Sequence, residues 1–342
     1  METFRNGTFN FTMMVAVYII GTAIIIIPVL GVSEQDMWIS GIIGWVAGIG
    51  YAVFLSFCKQ PEGRYTVARI VLSLYSLHLA ALVTRNMGEI IHLTILPNTP
   101  QIVCSTILVL LAAYATAQGI EVIWHLAFSF LAIYFVAGII LIGMAVPEMN
   151  LKHVQPMLDH GLGLIAKEAV PFISFPFMET VVFLPLLRLV KNPLKSLLGG
   201  VFIGGALLVL AIFLTVLVLP PNRIQYIFSP ILVVANSIPG ENFAKAGLVL
   251  MWVQTGFLKL AVLHFIVVKQ LGDALAIDYK KIILPLSILI INFSILVYNN
   301  FLEMFNFAFE IYPYYAMPLQ IAIPLYFIIV QWLSKRKTPA KS

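Results

Sequence analysis

Long apolar stretches separated by short polar ones recur along the whole chain. Each has the roughly 17–25 residues that a helix, rising about 1.5 Å per residue, needs to cross a hydrocarbon core roughly 30 Å thick. The stretches are continuous rather than alternating, so helices are predicted and barrel strands are not. Spans are expected at 10–30, 36–57, 68–95, 101–117, 121–146, 168–189, 194–219, 245–268, 280–298 and 313–333, about ten in all. The two longest connections, 147–167 and 220–244, carry periodic apolar residues and are expected to form short surface helices over the bundle. Residues 1–342 are therefore expected to be one all-α, polytopic transmembrane domain with a basic tail over 334–342.

Composition agrees: 61% of the 342 residues are hydrophobic, 10% are charged, and mean hydropathy is +1.00. The net charge of +5 would suit a nucleic-acid binder, but its distribution explains it better. With the N-terminus in the cytoplasm, fourteen Lys and Arg fall inside, among them Lys59, Arg64, Lys191, Lys280 and the Lys335-Arg336-Lys337 run. Only Lys152, Lys167, Arg223 and Lys245 fall outside. That is the bias expected of an inner-membrane protein with both termini cytoplasmic, the basic tail contacting anionic membrane lipid. No small-residue cleavage site follows the first apolar stretch, so it is expected to be retained as a helix. Cys58 and Cys104 fall on opposite sides of the membrane in this topology, which argues against a disulfide between them.

Two spans are interrupted at corresponding places. The first contains Gly21 and Thr22 near its middle and Pro28 further out; the sixth contains Pro171, Pro176 and Pro185. Proline removes a backbone donor and glycine weakens a helix, so both segments can unwind. Unwound backbone is tolerated in a membrane only where protein, water or a ligand satisfies it, and half-helix N-termini there favour a carboxylate. Two packing kinks are the plainer reading. The third span carries His78, Arg85, Glu89 and His92 on one face, with Arg85 and Glu89 one turn apart as a gating or structural pair. Glu179 follows Pro176 in the sixth span, and Lys259 lies deep in the eighth, too far from either end to reach water comfortably. Glu179 is the first candidate partner for Lys259, and a ligand carboxylate competing for the ammonium would make the pair a switch. His125 and His264 are expected to be interhelical hydrogen-bonders. No metal-binding, nucleophile-elbow or phosphate-loop motif occurs, so neither a cofactor nor an enzyme is indicated.

Several motifs, in order and spacing, resemble those of the endospore germination permeases, the B subunits of nutrient germinant receptors in spore-forming bacteria. They are Gly21-Thr22-Ala23, Asp36 to Ser40, Thr84 to Glu89, Thr99-Pro100, Gly119 to Glu121, Gln155 to Gly163, Pro176 to Pro185 and Leu319 to Leu325. The resemblance runs nearly end to end. It implies the amino acid-polyamine-organocation transporter superfamily, whose fold is two inverted five-helix repeats with broken helices 1 and 6, here about 10–146 and 168–333. It further implies that Gly21, Thr22 and Ala23 hold a substrate carboxylate. Tyr75, Leu79, Phe175, Pro176, Phe177, Glu179, Lys259 and Leu263 would complete the ligand pocket. Lys259 stands where some members carry a small hydroxyl residue, which alters the pocket's charge and volume.

The function so implied is a subunit in the spore inner membrane that senses a small nutrient such as an amino acid and signals through a larger membrane A subunit and a lipoprotein C subunit. Two others stay open: a proton-coupled amino acid transporter, and a scaffold or ion-conducting subunit with no ligand of its own.

Overall fold

The computed structural model describes residues 7–26, 32–58, 65–159, 161–224 and 230–337. Pro28, Lys59 and Arg64 lie outside them. Among the described residues nine helices are long and apolar enough to cross a membrane, and Gly7–Ile20 is a shorter apolar helix. That shorter one is the first part of the first expected span, so the tenfold pattern is present with its first member interrupted.

The first span is α1 (Gly7–Ile20), a break at Gly21 and Thr22, then α2 (Ala23–Ile26). After it come α3 (Met37–Ser56), α4 (Thr66–Thr94), α5 (Gln101–Gln118) and α6 (Ile120–Ala145). The sixth span is α7 (Gly161–Phe172), a π-helical turn over Ile173–Phe177 and a tighter 3₁₀ helix over Met178–Leu189. The turn is broken at Phe175, whose φ of −128° and ψ of 119° are extended, directly before Pro176. Then follow α8 (Pro193–Val218), the short surface helices α9 (Pro221–Ile224) and α10 (Pro230–Ser237), α11 (Glu241–Leu275), α12 (Ile283–Leu296), α13 (Phe301–Asn306) and α14 (Tyr312–Lys337).

Burial distinguishes the inner helices from those facing lipid. From Met14 to Ile20, α1 has no exposed residue, as expected of a helix that is apolar all round and enclosed by others. It packs on α8, where Gly200 and Gly204, four residues apart, let the backbones approach. A Cβ at Gly200 would lie 2.5 Å from Val15 Cβ, and one at Gly204 2.8 Å from the Ala16 carbonyl oxygen. α11 is buried almost continuously from Leu258 to Val268 and packs on α4, α5 and α6. By contrast, α6 turns Phe135, Val136 and Ile139 outward, and α12 turns Leu284, Ile288 and Leu296 outward. Glu168 on α7 anchors the entrance to α3, accepting from the Ser33 hydroxyl, from Ser40 Oγ at 3.1 Å and from the Val32 amide at 3.2 Å.

Several boundaries depart from the sequence reading; the sixth span begins at Gly161 rather than 168. α11 runs over 241–275 rather than 245–268, because its ends are set by left-handed caps at Gly240 and Ala276 and not by the limits of the apolar window. The last span was expected to begin at 313, but helical structure already starts at Phe301 and continues through a π-turn over Phe307–Ile311 into α14. Polar residues Asn299, Asn300, Glu303 and Asn306 hide that beginning, and Asn300 caps it by accepting from the Glu303 amide at 2.9 Å.

Candidate functional site

Lys259 sits midway along α11 with no exposed surface, and Glu179, just after the broken turn, is 1% exposed. Lys259 Nζ donates to Glu179 Oε2 at 2.5 Å. Each charge alone would be costly at this depth, and a buried pair holds only when further hydrogen bonds satisfy it. The other carboxylate oxygen, Oε1, accepts from the Tyr312 hydroxyl at 2.8 Å. Tyr312 thereby spends its proton, so in its 2.9 Å contact with Tyr75 the donor is Tyr75. Tyr75 in turn accepts from Gln320 Nε2 at 2.8 Å, giving a directed chain from Gln320 through two tyrosines to Glu179. The same Gln320 amide donates to the Ser174 carbonyl at 3.0 Å, a group released from the helix ladder by the extended Phe175. Above the ammonium lie two rings, Phe175 at 4.4 Å and Tyr18 at 4.9 Å from Nζ.

The other break abuts the same lysine. Gly21 has φ +25°, and a Cβ there would meet the Tyr18 carbonyl oxygen at 2.6 Å and Lys259 Cδ at 2.7 Å. Glycine is thus required both by the backbone and by passage of the lysine stem. The Gly21 carbonyl, freed by the break, accepts from Thr255 Oγ1 at 3.0 Å, one turn before Lys259 on α11.

Beside this charge centre is a small cavity of about 40 Å³, lined by Thr22, Leu79, Leu82, Val83, Asn86, Phe175, Glu179, Met304, Ala308 and Tyr312. Of the residues expected at a ligand, Thr22, Leu79, Phe175 and Glu179 therefore line one cavity. Gly21 and Ala23 flank Thr22, Lys259 stands behind Glu179, and Tyr75 stands behind Tyr312. Pro176, Phe177 and Leu263 are buried but do not line the cavity; Phe177 packs instead against α3 at Gly48. Tyr18, Asn86, Tyr312 and Gln320 were not singled out by sequence. Asn86 shares a helical stripe with Leu79 and Val83, a signal that charge-led reading passes over, and Tyr312 fell at a helix boundary.

Arg85 and Glu89 pair at 3.5 Å away from the cavity. His78 Nδ1 meets the Tyr315 hydroxyl at 2.6 Å, and His92 Nδ1 meets the Thr99 carbonyl at 2.7 Å. His264 bridges Thr116 of α5 and Ser287 of α12, both at 2.8 Å. His125 corrects the expectation of an interhelical bond: it is exposed, and its hydrogen bond among the described residues is to the Glu121 carbonyl of its own helix, at 2.7 Å. Among the described residues no group of three or more His, Cys, Asp or Glu could hold a metal ion.

A sequence profile for the family described as Spore germination protein matches residues 66–302. Spore germination protein KB of Bacillus subtilis (strain 168) is 24% identical over 373 residues, covering 100% of this chain and 98% of that protein. Putative spore germination protein YfkT of the same organism is 24% identical over 281 residues, covering 81% and 77%. Among solved structures, Mhp1, a nucleobase-cation-symport-1 family transporter in a closed conformation with bromovinylhydantoin bound, superposes with TM-score 0.63 at 12% identity, covering 87% of this chain and 74% of that one. MhsT in complex with L-phenylalanine superposes with TM-score 0.65 at 14% identity, covering 95% and 89%. At such identities the likeness shows the fold: a transporter-type bundle of two inverted five-helix repeats, the first helix of each repeat broken.

Proposed function

This chain belongs to the spore germination protein family, and on that premise we propose that it is the nutrient-sensing B subunit of a germinant receptor. It binds a small solute, an amino acid in the first instance, between the two broken helices. The observation that carries this reading is the Lys259–Glu179 pair, fully buried against the helix break at Gly21 and beside a cavity. The ligand carboxylate would lie over the backbone of Gly21, Thr22 and Ala23, where a half-helix begins, and its ammonium against Glu179. Either end of such a zwitterion competes with one member of the pair, so occupancy shifts the balance between conformations with the pair closed and opened. Partner A and C subunits would read that shift. The whole chain would act as one domain in the spore inner membrane, its termini cytoplasmic.

The test is a titration of the protein with its partner subunits against amino acids, sugars and nucleosides, comparing wild type with Lys259→Ala. Selective loss or altered preference is the expected outcome. An unchanged response, with the variant present at normal amounts, would make Lys259 a structural charge and remove the site. Transport of the same solute is the second reading, favoured by the fold shared with Mhp1 and MhsT. Saturable, gradient-driven uptake into proteoliposomes would establish it over sensing alone.

A further inference from the structure

We propose that Asn86 selects the ligand, and that the solute in this cavity presents a donor and an acceptor side by side, a primary carboxamide being the simplest such group. The inference rests on the solute site proposed above and specifies its ligand.

α4 turns Leu79, Leu82, Val83 and Asn86 toward the cavity, a stripe about 10 Å long at 1.5 Å per residue. The opposite wall is Met304, Ala308 and Tyr312, at successive four-residue steps. The carboxylate of Glu179 and the hydroxyl of Tyr312 on these walls are already committed. Both oxygens of Glu179 are occupied, by Lys259 and Tyr312, and the Tyr312 proton is given to Glu179. The Asn86 amide is not committed. It is 2% exposed, and among the described residues neither its Oδ1 nor its Nδ2 has a hydrogen-bond partner.

A buried amide left in this state is unfavourable, and this one lines the cavity. A second amide answers both of its atoms at once: its N–H donates to Oδ1 while its carbonyl accepts from Nδ2. A carboxylate accepts from Nδ2 but sets a negative oxygen against Oδ1, and an alkyl group leaves both atoms unpaired. A site built around a hydrogen-bonding group rejects analogues lacking that group far more sharply than an apolar pocket rejects a shape. The head of an amino acid at the helix breaks and its side-chain amide at Asn86 would together span the cavity.

The test is calorimetric binding to the full chain in lipid nanodiscs, with L-glutamine, L-asparagine, L-glutamate, L-leucine and L-methionine as probes, for wild type and Asn86→Leu. Wild type is expected to bind a carboxamide amino acid at least ~10-fold more tightly than its acidic or apolar counterparts. Asn86→Leu is expected to abolish that preference, and without ligand to unfold no earlier than wild type, since it removes unpaired polar atoms and keeps the volume. Equal or tighter wild-type binding of glutamate, leucine or methionine, or an unchanged order in Asn86→Leu, overturns the selectivity and leaves the solute site standing. Absence of binding by every probe to wild type overturns the amino-acid reading and this inference together.

Discussion

Lys259 and Glu179 stabilise each other only as a pair. Removing one partner of a buried ion pair typically costs about 3–5 kcal/mol, because the survivor is left uncompensated, whereas replacing both with apolar residues can be nearly neutral. Lys259→Met and Glu179→Gln should therefore each lower the thermal unfolding midpoint of the purified protein. The double variant should recover a large part of the loss, and strict additivity would show that the two charges do not depend on each other. Gly21→Ala tests the adjoining break. Its methyl group would lie 2.7 Å from Lys259 Cδ at a backbone angle unfavourable to any side chain, so the lysine stem must move. Ligand binding is expected to fall at least ~10-fold in that variant, and unaltered binding would show that the break tolerates a shifted lysine. At this scale the sequence was informative where chemistry is conspicuous. A lysine deep in an apolar span requires a carboxylate, and Glu179 was the candidate that the fold brings to it. Tyr312, Gln320 and Asn86 escaped because tyrosine and amides are ordinary in membrane helices, and only their juxtaposition across α4 and α14 gives them significance.

The broken helices were legible as elements, since glycine and three prolines at matching places leave little room for continuous helix. Less legible was what holds the sixth span's unwound turn. That is the Gln320 amide, which links α14 to the Ser174 carbonyl and to Tyr75 of α4. Gln320→Leu should leave these groups without their donor, at about 1–3 kcal/mol for a buried unsatisfied group. An unfolding midpoint equal to wild type would mean that water or a neighbouring side chain replaces the amide. The α1–α8 crossing makes a second prediction for an element. Leucine at Gly200 or Gly204 must displace Val15 or the Ala16 backbone, so either variant should fail to accumulate as folded, monodisperse protein in detergent. Leucine at the lipid-facing Phe202 of the same helix should be accepted. Monodisperse Gly204→Leu would contradict the close packing described.

For the whole molecule, hydropathy alone was enough to establish a bundle of membrane helices, because the requirement that every backbone group be satisfied in lipid excludes most alternatives. Helix ends were harder to place. They depend on caps such as Gly240, Ala276 and Asn300, which act through local backbone geometry that an averaged hydropathy window does not register. The central claim concerns the cavity between the broken helices and whether a nutrient enters it. Cys58 and Cys104 are both free and buried, so replacing them with alanine gives a background for a single reporter cysteine. The most direct measurement is the alkylation rate of a cysteine at Val83, on the cavity wall, against one at Leu210, exposed on α8 and away from that wall, with and without a nutrient that triggers germination. Slowing at Val83 and not at Leu210, saturating over the concentrations that trigger the response, is the expected result. Equal rates with and without the triggering nutrient at Val83 would contradict binding in this cavity.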